Sequence, residues 1–264
     1  MFKKSRSAPR SISAAFLLTS AITTHCPAHA QTAPVAKAPA TTTATVPFVG
    51  CQSDGQVGPL EAPKGTTKVI KMPSEAAQQL AYYKAEEGLG VLAPRGWHCF
   101  GTYGSSGSSL YVSPQPINAA IVFSNWKGFS GTVVQLTDEY GGTSGRFSVA
   151  RTIARVFPSH IAFVHDVIAN GFAQANDFPS GPYPKDDLVY KSKEIVEYQT
   201  PAQTDGLGTQ SMLQKNVDPI RGVAILVGSD PDLVFLAARL PPDMTDLASV
   251  IIRQVEDDAA QSEN

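Results

Sequence analysis

The chain has 264 residues, 42% of them hydrophobic and 17% charged, with a formal net charge of −2. Such a composition fits a globular protein of one generous domain or two small, closely packed ones. The mild acidity argues against nucleic acid or an anionic membrane surface as a partner.

Residues 1–30 read as a cleavable signal peptide. Lys3, Lys4, Arg6 and Arg10 form a positive start with no acidic residue, and Ala14 to Ile22 is a short apolar run. Ala28-His29-Ala30 then offers small residues at the positions that a signal peptidase reads, so cleavage is expected between Ala30 and Gln31. The apolar run is far shorter than the roughly 20 residues of a membrane-spanning helix. Cys26 follows Thr24 and His25 rather than small apolar residues, which argues against a lipid anchor and for its loss with the signal. Losing Lys3, Lys4, Arg6 and Arg10 and no acid takes the net charge from −2 to −6. The expected location is the periplasm, or the medium after secretion. No later apolar run is long enough to span a membrane.

Gln31 to Val46 is built from Ala, Pro and Thr and reads as a flexible linker, residues 31–46, ahead of a single domain over 47–258. Cys51 to Gly65 is loop-like and Thr67 to Met72 a strand. Pro73-Ser74-Glu75 opens a helix whose apolar positions Ala76, Ala77, Leu80 and Tyr83 keep helical spacing up to a stop at Gly88. Pro94-Arg95-Gly96 marks a tight turn. Trp97 to Tyr103 and Ser109 to Ser113 flank Gly104-Ser105-Ser106-Gly107 as a hairpin. Strands are predicted at Ala119–Phe123 and Thr132–Leu136, and a helix at Phe147–Phe157 with Arg151 and Arg155 off its apolar face. His160 to Ala169 reads as helix and Asn170 to Lys185 as loop. Strands follow at Leu188–Lys191, Ile195–Gln199, Gly222–Val227 and Leu233–Leu240, the last pair joined through Gly228-Ser229-Asp230-Pro231. Thr245 to Val255 closes as a helix, and 259–264 is an acidic tail expected to fray. Helices interrupt runs of strands rather than alternating with them. The expected class is therefore α+β, an antiparallel sheet with helices packed mainly on one face.

Two phrases carry a resemblance. One is Gly90-Val91-Leu92-Ala93-Pro94-Arg95-Gly96-Trp97, continuing as His98-Cys99-Phe100-Gly101-Thr102-Tyr103-Gly104. The other is Tyr198-Gln199-Thr200-Pro201 with Asp205-Gly206-Leu207-Gly208-Thr209. The chain resembles uncharacterised exported bacterial proteins with the Gly-Trp-His-Cys-Phe-Gly-Thr-Tyr-Gly phrase. The spacing is also similar to the small α+β fold of PsbP-like proteins. The resemblance implies a fold and transfers no activity or site.

After cleavage Cys51 and Cys99 remain, an even pair that reads as a disulfide in an oxidising compartment. His98 is next to Cys99, but neighbours in a strand point to opposite faces, so no Cys–His nucleophile is expected. His160 and His165 are five apart and do not share a helix face, so no metal site is expected. The serines at 105, 106, 108 and 109 lack a Gly-x-Ser-x-Gly elbow, and no catalytic residue is assigned. Gly101, Gly104 and Gly107 are followed by a strand rather than a helix, and Gly206-Leu207-Gly208 fails in the same way, so no cofactor is expected. Trp97, Phe100, Tyr103 and Tyr111 read as sheet core. The remaining candidate is Gly141-Gly142-Thr143-Ser144-Gly145-Arg146, between a strand and the central helix. Gly142, Thr143, Ser144, Gly145 and Arg146 could offer backbone N–H groups, hydroxyls and a guanidinium to an anion, or form a capped connection. The function that these readings favour is a non-enzymatic accessory, inhibitor or immunity-type module whose partner is another envelope protein. The alternatives are an envelope hydrolase with a Ser/His or carboxylate site, and a small-anion binder at Gly141–Arg146.

Overall fold

The computed structural model describes residues 42–171 and 173–262. Residues 1–41, on which the expected signal, the Ala30–Gln31 junction and most of the expected linker fall, lie outside the described residues. So do 263 and 264. The chain runs β1 (Thr42–Gly50), β2 (Ser53–Gly55), β3 (Thr67–Met72), α1 (Ser74–Gln79), β4 (Leu80–Lys84) and β5 (Val91–Pro94). It continues with β6 (His98–Gly104), β7 (Gly107–Ser113), α2 (Ala119–Val122), β8 (Val133–Glu139), α3 (Arg146–Val156) and α4 (Ile161–Ala169). It ends with β9 (Asp187–Tyr190), β10 (Ile195–Thr200), β11 (Ile220–Val227), β12 (Asp232–Arg239) and α5 (Ala248–Ser262).

The α+β class holds, but the sheets are mixed. A four-stranded sheet has the order β3-β1-β4-β5, and an eight-stranded sheet the order β2-β6-β7-β8-β12-β11-β10-β9. β1 pairs parallel to β4, and β2 parallel to β6. The remaining ladders are antiparallel, including the predicted hairpins β6–β7 and β11–β12. Their turns use glycine where the backbone demands it. Gly107 has φ 142° with Asp138 O against its Cα, and Gly228 has φ 81°.

The expectation of helices mainly on one face is corrected. Alternation along the central strands divides the large sheet into two apolar faces. Leu110, Val112, Val134, Leu136, Val223 and Leu236 point one way, into a core shared with the small sheet, α1 and α5. Val133, Ala224, Leu226, Leu233, Phe235 and Ala237 point the other way, towards α3 and α4. Each fully buried aliphatic side chain in these layers stabilises by about 1.5–3 kcal/mol. The large sheet is the middle layer, and each face needs its own cover.

Four local readings are also corrected. The first helix ends at Gln79, and Leu80–Lys84 is strand. Leu80, Ala81, Tyr82 and Tyr83 are all buried, because β4 lies between β1 and β5 and both of its faces are covered. A strand of that kind loses its alternation and imitates helical spacing. Ala119–Val122 is a short helix, started by the Asn118 side chain accepting from the Ile121 N–H at 3.1 Å. Thr42–Val46, expected as linker, is strand: these residues pair with β3 from Thr42↔Met72 onwards, and Val46 is fully buried. The tail does not fray at 259: α5 continues to Ser262, and Ala259 is buried against the core.

Candidate functional site

β7 and β8 carry unlike side chains on their two faces. Towards α5 they present Leu110, Val112, Val134 and Leu136, all buried and apolar. Towards α3 the same strands present Ser109, Tyr111, Gln135, Thr137 and Glu139. A sheet face that only had to pack against a helix would be apolar there too. These polar groups form the floor of a cavity of about 240 Å³. Ser148, Arg151 and Thr152 of α3 wall it on one side, at i, i+3 and i+4 on one helix face. Gln210, Ser211 and Met212 wall it on the other, and Leu233 and Phe235 of β12 supply apolar lining.

Much of the floor is a closed hydrogen-bond network. Ser109 Oγ is 3.0 Å from Thr137 Oγ1, and Gln135 Nε2 donates to Thr137 Oγ1 at 3.0 Å. Gln135 Oε1 accepts from the Met212 N–H at 2.9 Å, which fixes the far wall to the floor. Burial raises the Tyr111 phenol pKa, against the opposing effects of the Ser109 and Thr102 hydroxyls. Its ring meets Trp126 edge-on at 6.0 Å and Phe129 at 5.7 Å.

Glu139 is different. Burial pushes its carboxyl up to about 7, against the opposing effects of the Ser148 hydroxyl and the Arg151 charge. Arg151 is not ion-paired with Glu139 or with any other carboxylate among the described residues. Thr152 is 3% exposed, and its hydroxyl makes no hydrogen bond among the described residues. Asp138, one residue earlier, points to the opposite face. Its Oδ2 accepts from the Leu89 N–H at 2.9 Å and the Ser108 hydroxyl at 3.3 Å, and burial raises its pKa.

The wall at Gln210–Met212 is held by the second sequence phrase. Asp186 Oδ2 accepts from the Leu207 N–H at 2.6 Å, and its Oδ1 from the Thr200 hydroxyl at 2.8 Å. Thr200 Oγ1 also accepts from the Gly208 N–H at 3.0 Å. Thus Thr200-Pro201 and Gly206-Leu207-Gly208-Thr209 position a loop.

The residues singled out from sequence lie elsewhere. The Cys51–Cys99 disulfide is formed, with Cα atoms 5.4 Å apart. Gly142, Thr143, Ser144, Gly145 and Arg146 form the turn into α3, outside the Glu139 cavity. Several of their donors turn inward. Gly145 N–H donates to Thr143 Oγ1 at 3.2 Å, and Arg146 Nε and Nη2 donate to the Thr143 and Gly142 carbonyls at 2.6 and 3.0 Å. His98 and His165 are exposed, and His160 Nε2 lies 3.6 Å from Glu194. None of these histidines lines the cavity, and no group of three metal-ligating side chains occurs among the described residues. Phe100 and Tyr111 pair across β6–β7 in a small aromatic cluster with Trp126 and Phe129. The cavity residues escaped the reading of chemical motifs, although alternation in Gln135-x-Thr137-x-Glu139 is a visible signal.

No protein-family model, no curated protein and no solved structure matches the chain.

Proposed function

We propose that this is an exported binding module that holds a small polar ligand in the Glu139 cavity. The carrying observation is the contrast across one pair of strands: a packed face towards the core shared with α5, where Asp138 is engaged by Leu89 and Ser108, and a polar, hollow face towards α3. A cavity of about 240 Å³ is just under the range typical of pockets for drug-sized ligands, so the ligand is metabolite-sized. Export is supported by the signal-like first 30 residues and by the disulfide, a bond that persists in oxidising compartments. No helix among the described residues is long and apolar enough to cross a membrane. An accessory module fits this reading, with an envelope protein as the partner that the loaded form would meet.

The test is a thermal-shift screen of the purified protein against polar metabolites, repeated on Ser148→Phe, which fills the cavity mouth. Ligands that stabilise the wild type and leave the variant unmoved support the reading. A screen with no such ligand sinks it.

A second reading, acid–base hydrolysis, is favoured by one observation. A carboxyl held near pH 7 in a cavity can both give and take a proton under working conditions. It requires turnover that Glu139→Gln abolishes, not merely weaker binding.

A further inference from the structure

We propose that the ligand of the Glu139 cavity is a free α-amino acid with an apolar side chain, its ammonium on Glu139 and its carboxylate on Arg151. The inference rests on the binding reading above and names the ligand class.

The uncommitted polar groups decide the class. Ser109, Thr137 and Gln135 are bound to one another and to the Met212 N–H, and so have little left for a polyhydroxylated ligand. The Ser211 hydroxyl is likewise engaged, donating to Gly208 O at 2.6 Å and accepting from the Leu213 N–H at 3.1 Å. What remains is one carboxylate and one guanidinium, with the Ser148, Thr152 and Tyr111 hydroxyls and Gln210 Oε1 beside them, so the two opposite charges set the class. Glu139 comes from β8 and Arg151 from α3, and both line the hollow without forming an ion pair. Two opposite charges kept apart around a cavity are complementary to a zwitterion that places its own charges between them. Guanidinium matches carboxylate in a planar, bidentate fashion. Thr152 follows Arg151 on α3 and also lines the hollow, so its hydroxyl can add a third bond to that carboxylate.

The rest of the lining is apolar. Met212, Leu233 and Phe235 give a side chain an oily surface, with the flexible thioether able to adapt to its shape. An acidic or basic side chain would be left without a counter-charge there. The small volume leaves room for one residue rather than a peptide.

Isothermal titration of the purified protein tests this with L-leucine, with isoamylamine, which lacks the carboxylate, and with 4-methylpentanoate, which lacks the ammonium. D-glucose serves as the neutral polyol. L-leucine is expected to bind at least about tenfold more tightly than either truncated analogue, since each lost charge-assisted contact exceeds about 1.4 kcal/mol. Glu139→Gln and Arg151→Gln are each expected to weaken L-leucine by a similar factor with the far-UV spectrum unchanged. If glucose or a truncated analogue binds as well as L-leucine and Ser148→Phe abolishes it, the cavity is a binding site and the amino-acid class is wrong. If none of the four binds and the metabolite screen is also silent, both readings fall.

Discussion

Cys51 and Cys99 join the two sheets: Cys51 follows the end of β1 in the small sheet, and Cys99 sits in β6 of the large one. They close a loop of 48 residues, and in the chain-entropy account that restricts the unfolded chain by roughly 4 kcal/mol. Cys51→Ala/Cys99→Ala is expected to lower stability by a few kcal/mol at most, on the order of the same account. Urea denaturation with and without dithiothreitol checks this. The reductant should lower the wild-type midpoint and leave that of the double variant unmoved.

Arg239 is a fully buried cation at the end of β12, where burial lowers its pKa. Its guanidinium donates to the carbonyls of Gly131 at 3.2 Å and Asp218 at 3.3 Å, and to that of Gln214. These carbonyls belong to the segment before β8 and to the segment that runs on from the cavity wall. Arg239→Met leaves them without their donor, at a cost of about 2–4 kcal/mol. Limited proteolysis should find the new cleavage between residues 211 and 219. Unchanged protease resistance there would remove the idea that Arg239 holds the wall.

Much of the fold was legible where local chemistry fixes it. The hairpins at 104–107 and 228–231 announce themselves through turn glycines, and α3 through a clean apolar stripe. What was not legible depends on partners distant in sequence. Leu80–Lys84 is strand because β1 and β5 enclose it, and Thr42–Val46 is strand because β3 pairs with it. The second cover on the large sheet follows from β4, β5 and α5 packing together, which no local pattern in α5 encodes. The site divides in the same way. Ser109-x-Tyr111 and Gln135-x-Thr137-x-Glu139 could have been read as one polar face by alternation alone. Their meeting with Met212, 77 residues after Gln135, required the fold.

Gln254 of α5 is buried at 2% exposure and saturates its amide. Its Oε1 accepts from the Leu92 N–H at 2.8 Å, and its Nε2 donates to Gly90 O at 3.1 Å and Asp258 Oδ2 at 2.9 Å. It thereby supplies β5 with the edge partner that the small sheet lacks. Gln254→Leu keeps the volume and strands a buried N–H and C=O, so it is expected to cost about 2–4 kcal/mol. Hydrogen exchange should speed up at Leu92. An equal loss of protection across both sheets would mean global unfolding rather than a local anchor.

Glu139 makes stability depend on pH with a definite sign. Its folded pKa of about 7 lies above the ordinary 4.5, so between these values the folded state binds more protons than the unfolded one. The protonated carboxyl is therefore fully compatible with the fold below about pH 4.5, and folding weakens as the pH rises through 7. Above that the burial cost is complete and constant. Glu139→Gln keeps the shape and removes the charge. It is expected to be more stable than the wild type at pH 8 by on the order of 1 kcal/mol, a figure discounted for partial exposure, and to match it near pH 4. Paired denaturation curves across that range measure the difference directly. A variant less stable at pH 8 would show that the Ser148 hydroxyl and the Arg151 charge outweigh burial, and that the carboxylate is a structural anchor rather than a group held in reserve for a ligand.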